Sequence, residues 1–136
     1  MSVHFEATPE VVFDYLVDPA NRADWQSSLR RVEEVTGPIG VGQTWVDVTT
    51  PGLRPRMETT ELDRPHRWTE IGTWRSVSAT LTLTLSPTGA GCDVEPTMRL
   101  EGRGLARVVA PVLNRVSPAA VRSDLRRAAR ILDQPE

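Results

Sequence analysis

The carboxylate whose surroundings would most alter its chemistry is Glu70, in the stretch Arg67-Trp-Thr-Glu-Ile-Gly-Thr-Trp74. Side chains alternate across an extended segment, so Trp68, Glu70, Gly72 and Trp74 share one face, with Thr69, Ile71 and Thr73 on the other. An acid among tryptophans is desolvated, which raises its pKa toward the range useful to a general base. Such a base could abstract a proton beside a carbonyl, as in aldol cyclisation, if a donor met the enolate oxygen. His66, Arg56 or an inward Thr are candidates for that donor, and no spacing selects one. The plainer readings are that Glu70 pairs with an Arg, or that the opposite face of the strand points inward.

Other candidates carry less. Asp47 shares a face with Trp45 and Thr49, yet Val46 and Val48 offer an equally apolar face to the interior. His66 falls between Pro65 and Arg67 at an expected turn, where a histidine is usually solvated, and His4 offers less still. The glycines of Gly37-Pro-Ile-Gly-Val-Gly42 superficially resemble a phosphate loop. That loop joins two expected strands and opens no helix, so the helix terminus that binds phosphate is missing. Arg122, Arg126 and Arg130 recur at helical spacing and could face an anionic partner, but a solvated face paired with Asp124 and Asp133 explains them as well. Cys92 sits at a strand start with the parity of the apolar face, where a small buried residue is the default.

The whole chain limits these options. It has 136 residues, one cysteine, two histidines and a net charge of −2. No internal disulfide is possible, no rich metal cluster is available, and wholesale nucleic-acid binding lacks its basic footprint. Every basic residue except the histidines is Arg, which excludes lysine Schiff-base chemistry and a phosphate-loop lysine. The start of the chain has neither a basic region nor an apolar run, so no secretory signal is expected. No run approaches the roughly 20 apolar residues of a membrane helix. These features point to a cytoplasmic domain spanning 1–136, without cofactor or metal, as a monomer or homodimer.

The elements that would position Glu70 follow from periodicity. Val3, Phe5 and Ala7 alternate with polar residues as a first strand. Thr8-Pro9-Glu10 provides an N-cap, a proline at the first helical position and an acid in the first turn. Asp18-Pro19 repeats this logic for a second short helix ending near Trp25, which is expected to pack under the sheet. Strands are then predicted over Leu29–Val35, Thr44–Thr50, Arg56–Leu62, Arg67–Thr73, Val77–Leu85 and Cys92–Leu100. In Val77–Leu85, Ala79, Leu81, Leu83 and Leu85 alternate with Ser and Thr, the pattern of a half-buried antiparallel strand. Beyond Gly102 the period becomes helical. The stripe Leu105–Val116 is out of phase with the stripe Val121–Leu132, and Ser117-Pro118 lies at the break, so two segments or a kink are predicted there.

The order of one strand, two short helices, about six further strands and a long C-terminal helix is that of a helix-grip α+β fold. The stretch Ala7-Thr-Pro-Glu-Val-Val-Phe-Asp-Tyr-Leu-Val-Asp-Pro-Ala-Asn-Arg-Ala-Asp-Trp25 resembles the opening of SRPBCC (START/Bet v-like) proteins of the polyketide cyclase/dehydrase branch. The Gly40–Gly42 turn, the Asp63-Arg-Pro-His-Arg67 hairpin and the Leu85-Ser-Pro-Thr-Gly89 turn fit the same pattern, and the Pro118 break departs from it. The resemblance implies a curved antiparallel sheet of six to seven strands around the last helix, enclosing an apolar cavity. The cavity would hold a hydrophobic small molecule: a polyketide, a lipid or an aromatic metabolite. Its walls are expected from Trp45, Met57, Trp68 and Trp74, from Leu81, Leu83 and Met98, and from Val109 and Leu113 of the covering helix. A cyclase, aromatase or dehydratase with Glu70 as acid/base and His66 assisting is the catalytic alternative. A non-catalytic interaction or regulatory domain with a filled cavity is the third.

Overall fold

A computed structural model describes residues 2–50, 52–102 and 117–133. Strand β1 (Val3–Phe5) leads into helix α1 (Pro9–Val17), a 3-10 turn (Pro19–Asn21) and the single-turn helix α2 (Arg22–Trp25). Strands β2 (Leu29–Thr36), β3 (Thr44–Thr49), β4 (Arg56–Asp63), β5 (Arg67–Trp74), β6 (Val77–Thr88) and β7 (Gly91–Gly102) follow, and helix α3 (Pro118–Asp133) comes last. The strands form one antiparallel seven-stranded sheet in the order β1-β7-β6-β5-β4-β3-β2, which does not close into a barrel.

The local signals act as expected. Thr8 Oγ1 accepts from Val11 N–H with Pro9 at the first helical position, and Asp18 Oδ1 accepts from Ala20 N–H at 2.9 Å. Each side chain satisfies one of the amides that a helix start leaves without a partner. The segment expected as one second helix is a 3-10 turn running into α2. Four residues cannot hold a helix by themselves, so α2 depends on what its side chains bind.

β6 and β7 form the longest hairpin, in unbroken register from Val77 opposite Gly102 to Thr88 opposite Gly91. Glycine is required at its open end: Gly102 has φ +139°, and an added Cβ would lie 2.2 Å from Ser76 O. β6 runs to Thr88, beyond the predicted Leu85, because Ser86 and Pro87 remain paired with Asp93 and Cys92.

The inner face of the sheet is covered in two parts. Against β6 and β7, helix α1 brings Val12, Phe13, Leu16 and Val17 into one buried cluster with Phe5, Trp68, Leu83, Leu85 and Val94. Helix α3 packs on β1 and β7 and adds Val121, Leu125, Ala128 and Ala129 to that cluster. Ser117 caps α3, accepting from Ala120 N–H at 3.1 Å, and Pro118 follows at the first helical position. A helix therefore begins where the phase break was predicted. The preceding stripe, with Val109 and Leu113, lies outside the described residues.

Candidate functional site

Alternation on β3, β4 and β5 turns Trp45, Asp47, Thr59, Trp68 and Glu70 inward, and all five are buried. The β3 ambiguity resolves in favour of the Trp45–Asp47–Thr49 face. Two buried carboxylates, Asp47 at 0% exposure and Glu70 at 4%, need a cation or protons to stay in the interior. Arg22 of α2 is that cation, 1% exposed itself. Its Nε and Nη2 donate to Asp47 Oδ1 and Oδ2 at 3.1 and 2.7 Å, and its Nη1 donates to Glu70 Oε2 at 2.9 Å. Trp45 Nε1 donates to Asp47 Oδ1 at 2.9 Å, and the guanidinium lies 5.0 Å from the centroid of the Trp45 ring. The bidentate fork suits Arg and no other residue.

Burial works against the Arg22 charge, but the coulombic pull of Asp47 and then Glu70 outweighs it, so the guanidinium is held above its ordinary range. Glu70 thus has the Arg partner that was the plainer of its readings. An opposite charge at hydrogen-bond distance favours the carboxylate, which opposes the desolvation that would have made Glu70 a base.

Glu70 also borders a partly open cavity of about 100 Å³. Its apolar wall comes from Met57 of β4, Gly72 and Trp74 of β5, Val77, Ala79 and Leu81 of β6, and Met98 of β7. Thr49, Thr50, Leu53 and Pro55 continue the wall at the end of β3, Trp25, Gln26 and Ser28 at the end of α2, and Val121 and Asp124 from α3. The Met57 side chain lies over Gly72, where an added Cβ would stand 2.8 Å from Met57 Sδ. Asp124 Oδ1 accepts from both the N–H and the hydroxyl of Ser27, at 3.2 and 2.9 Å, fastening α3 to the chain after α2. Trp25 is 1% exposed, as expected of a packing residue, and its Nε1–H has no hydrogen-bond partner among the described residues.

Of the residues expected around a ligand, Met57, Trp74, Leu81 and Met98 line this cavity together with Glu70. Trp45, Trp68 and Leu83 do not. They belong to the packed core, where Trp68 Nε1 donates to Thr59 Oγ1 at 3.2 Å and Trp45 is held by the Arg22 network. The correction has a simple cause: Trp68 and Trp74 share a face but lie roughly 20 Å apart along the strand, and the α1 cluster fills the Trp68 end.

His66 is corrected too. It is exposed in the Asp63–His66 turn before β5 begins, while the cavity touches β5 only from Glu70 onward. Arg56 is exposed on the outer face because its neighbour Met57 points in. Asp124 accepts from Ser27, and Asp133 accepts from Glu6 N–H at 3.1 Å, contacts beyond the helix that its charge spacing did not predict. Burial pushes the Cys92 thiol up to about 11, with Asp93, Asp133 and Glu10 adding to the shift, so it is inert at neutral pH. Among the described residues no group of His, Cys, Asp and Glu is arranged to hold a metal ion.

A seven-stranded antiparallel sheet with α3 across its inner face, two short helices after β1 and a cavity beneath α3 defines a helix-grip protein. The chain belongs to the family described as polyketide cyclase / dehydrase and lipid transport, whose model matches residues 1–134. Solved structures agree on the fold. Protein MLL2253 from Mesorhizobium loti superposes with a TM-score of 0.75 at 14% identity, covering 100% of this chain and 96% of that one. A truncated norcoclaurine synthase from Thalictrum flavum gives 0.73 at 14% identity, covering 100% and 92%. Ara h 8.0201 gives 0.72 at 12% identity, covering 98% and 96%. No match was found among curated proteins.

Proposed function

We propose that this protein binds a hydrophobic small molecule in the cavity between the sheet and α3. The observation that carries the reading is the cavity itself: about 100 Å³ walled by Met57, Trp74, Ala79, Leu81 and Met98, with few polar groups, the usual composition of a ligand pocket. Family membership supports the same reading in general terms. The arrangement favours holding a molecule over transforming it. Of its two carboxylates, Glu70 is engaged by Arg22 and Asp124 by Ser27, and neither His66 nor Arg56 lines the cavity to serve as a further catalytic group.

Native mass spectrometry of the protein from its own host should reveal a retained small molecule, and an apolar fluorescent dye should bind the emptied protein. Ala79→Phe, which projects a ring into the cavity, should weaken dye binding by about tenfold, or about 1.4 kcal/mol. A protein that retains nothing and binds no dye does not have this function.

A further inference from the structure

Charge is unevenly divided along the chain. Up to Gly102 there are fifteen acids and nine arginines, whereas residues 103–132 hold seven arginines and one acid, Asp124. Such asymmetry points to an anionic partner for the basic part. The pairing of side chains sharpens the contrast. Six of the nine earlier arginines, Arg22, Arg31, Arg54, Arg64, Arg67 and Arg99, are ion-paired with carboxylates. On α3, Arg122, Arg126 and Arg130 form no ion pair among the described residues. Asp124 is on the buried side of that helix, and Asp133 at its end accepts from Glu6 N–H.

Spacing makes the three arginines one row. Residues four apart on a helix are neighbours, and at about 1.5 Å per residue the row is about 12 Å long. It runs outside the buried stripe of Val121, Leu125, Ala128 and Ala129, with Arg126 and Arg130 exposed and Arg122 half-buried. Ala119, Ser123 and Ile131 share the exposed side, Ile131 at 38%. A guanidinium is a weakly hydrated fork that fits phosphate. A helix face with arginines, small residues and one exposed isoleucine suits a broad anionic surface, because nothing on it fixes register with a particular side chain. Basic helix faces of this kind bind anionic lipid headgroups. The opposite side of α3 borders the cavity through Val121 and Asp124. A bilayer against the arginine row would therefore lie about one helix diameter, roughly 10 Å, from the cavity.

We infer that the Arg122, Arg126 and Arg130 face of α3 docks the protein on an anionic phospholipid bilayer, with the three guanidiniums on lipid phosphates. The anionic preference rests on the arginines alone. The choice of a bilayer over another polyanion rests on the proposed binding function, since an apolar cargo resides in a bilayer.

The test is vesicle co-sedimentation at low salt. The wild-type protein should bind vesicles of phosphatidylcholine and phosphatidylglycerol in equal parts, should ignore phosphatidylcholine alone, and should be released as salt is raised. A basic residue close to an anionic surface strengthens binding by roughly fivefold. Arg122→Gln, Arg126→Gln and Arg130→Gln together should therefore weaken binding by about a hundredfold. Removing the same charge from the sheet, as Arg30→Gln, Arg56→Gln and Arg99→Gln together, should weaken it by less than about tenfold, because distant charges are screened. Both triple variants should keep the circular dichroism and the apolar-dye binding of the wild type. Binding to phosphatidylcholine alone, no binding to the anionic vesicles, or an equal loss in the two triple variants overturns the inference. If poly-glutamate or a DNA duplex is bound and the vesicles are not, the row serves another polyanion and the bilayer is wrong. The dye reads the cavity separately. If it binds while the vesicles do not, the binding function stands and docking falls; if the vesicles bind while the dye does not, docking stands and the binding function falls.

Discussion

Replacing Arg22 with methionine tests the buried network directly. The substitution keeps much of the side-chain volume and removes the charge that Asp47 and Glu70 share at 2.7–3.1 Å. Removing one partner of a buried ion pair costs about 3–5 kcal/mol, since the opposite charges stay in the interior. Native domains have only about 5–15 kcal/mol in total, so Arg22→Met should lose a large part of the stability. For a chain of this length that corresponds to a fall in Tm of roughly 10–20 °C. Urea denaturation should show a lower midpoint at unchanged slope.

The pH dependence of the variant has a definite sign. Without the guanidinium, desolvation favours the protonated acids, so the folded state binds more protons than the unfolded chain and stability falls as pH rises. Arg22→Met should therefore recover part of its lost stability relative to wild type on acidification, read as a narrowing gap between the two urea midpoints. Adding Asp47→Leu and Glu70→Met should recover much of the loss, because an apolar replacement of the whole cluster leaves no buried charge. A loss below about 1 kcal/mol for Arg22→Met alone, the size of a surface pair, would refute this account of why α2 is held in place.

Three further outcomes are expected. Cys92 should resist alkylation at neutral pH and react only when the chain is unfolded, because its thiol is pushed to about 11 and is buried; fast alkylation of the folded protein would contradict its placement. His4 should titrate above its usual 6.5, held up by its hydrogen bond to Asp93 at 2.8 Å. Its pairing supports the fold below the usual histidine range and is lost as pH rises through the raised midpoint; proton NMR of His4 should show that midpoint return toward 6.5 in Asp93→Asn. Ser117→Ala removes the cap of α3 and should cost about 0.5–2 kcal/mol in urea denaturation, whereas Ser117→Asp should cost far less.

The parity of β5 and β6 was legible because one face is apolar and the other is rich in Ser and Thr, from Ala79 to Leu85. That parity put Glu70 inside correctly. β3 gave no such bias: Trp45, Val46, Asp47, Val48 and Thr49 are all buried, so hydrophobicity did not distinguish its faces. Parity also says which face a residue occupies, not which helix covers it. Trp68 and Trp74 therefore looked equivalent, although only Trp74 reaches the cavity. Arg22 was not singled out, since an arginine in a one-turn helix looks solvated. The available signal was indirect: two inward acids, Asp47 and Glu70, require a cation, and a tertiary contact across 25 and 48 residues supplies it. His66 failed as a candidate because its turn lies beyond the strand end away from the cavity.

The two-part covering of the sheet has a consequence for how this chain can change. Residues packed under α1, such as Trp68, Leu83 and Leu85, hold the molecule together and do not line that cavity. Residues under α3, such as Gly72, Ala79 and Met98, shape the cavity at the other end of the same strands. Substitutions at the cavity end can therefore drift or be engineered toward new ligands while the other end keeps the chain folded. Arg22 is where the two ends are joined, so freedom to vary should stop at Asp47 and Glu70.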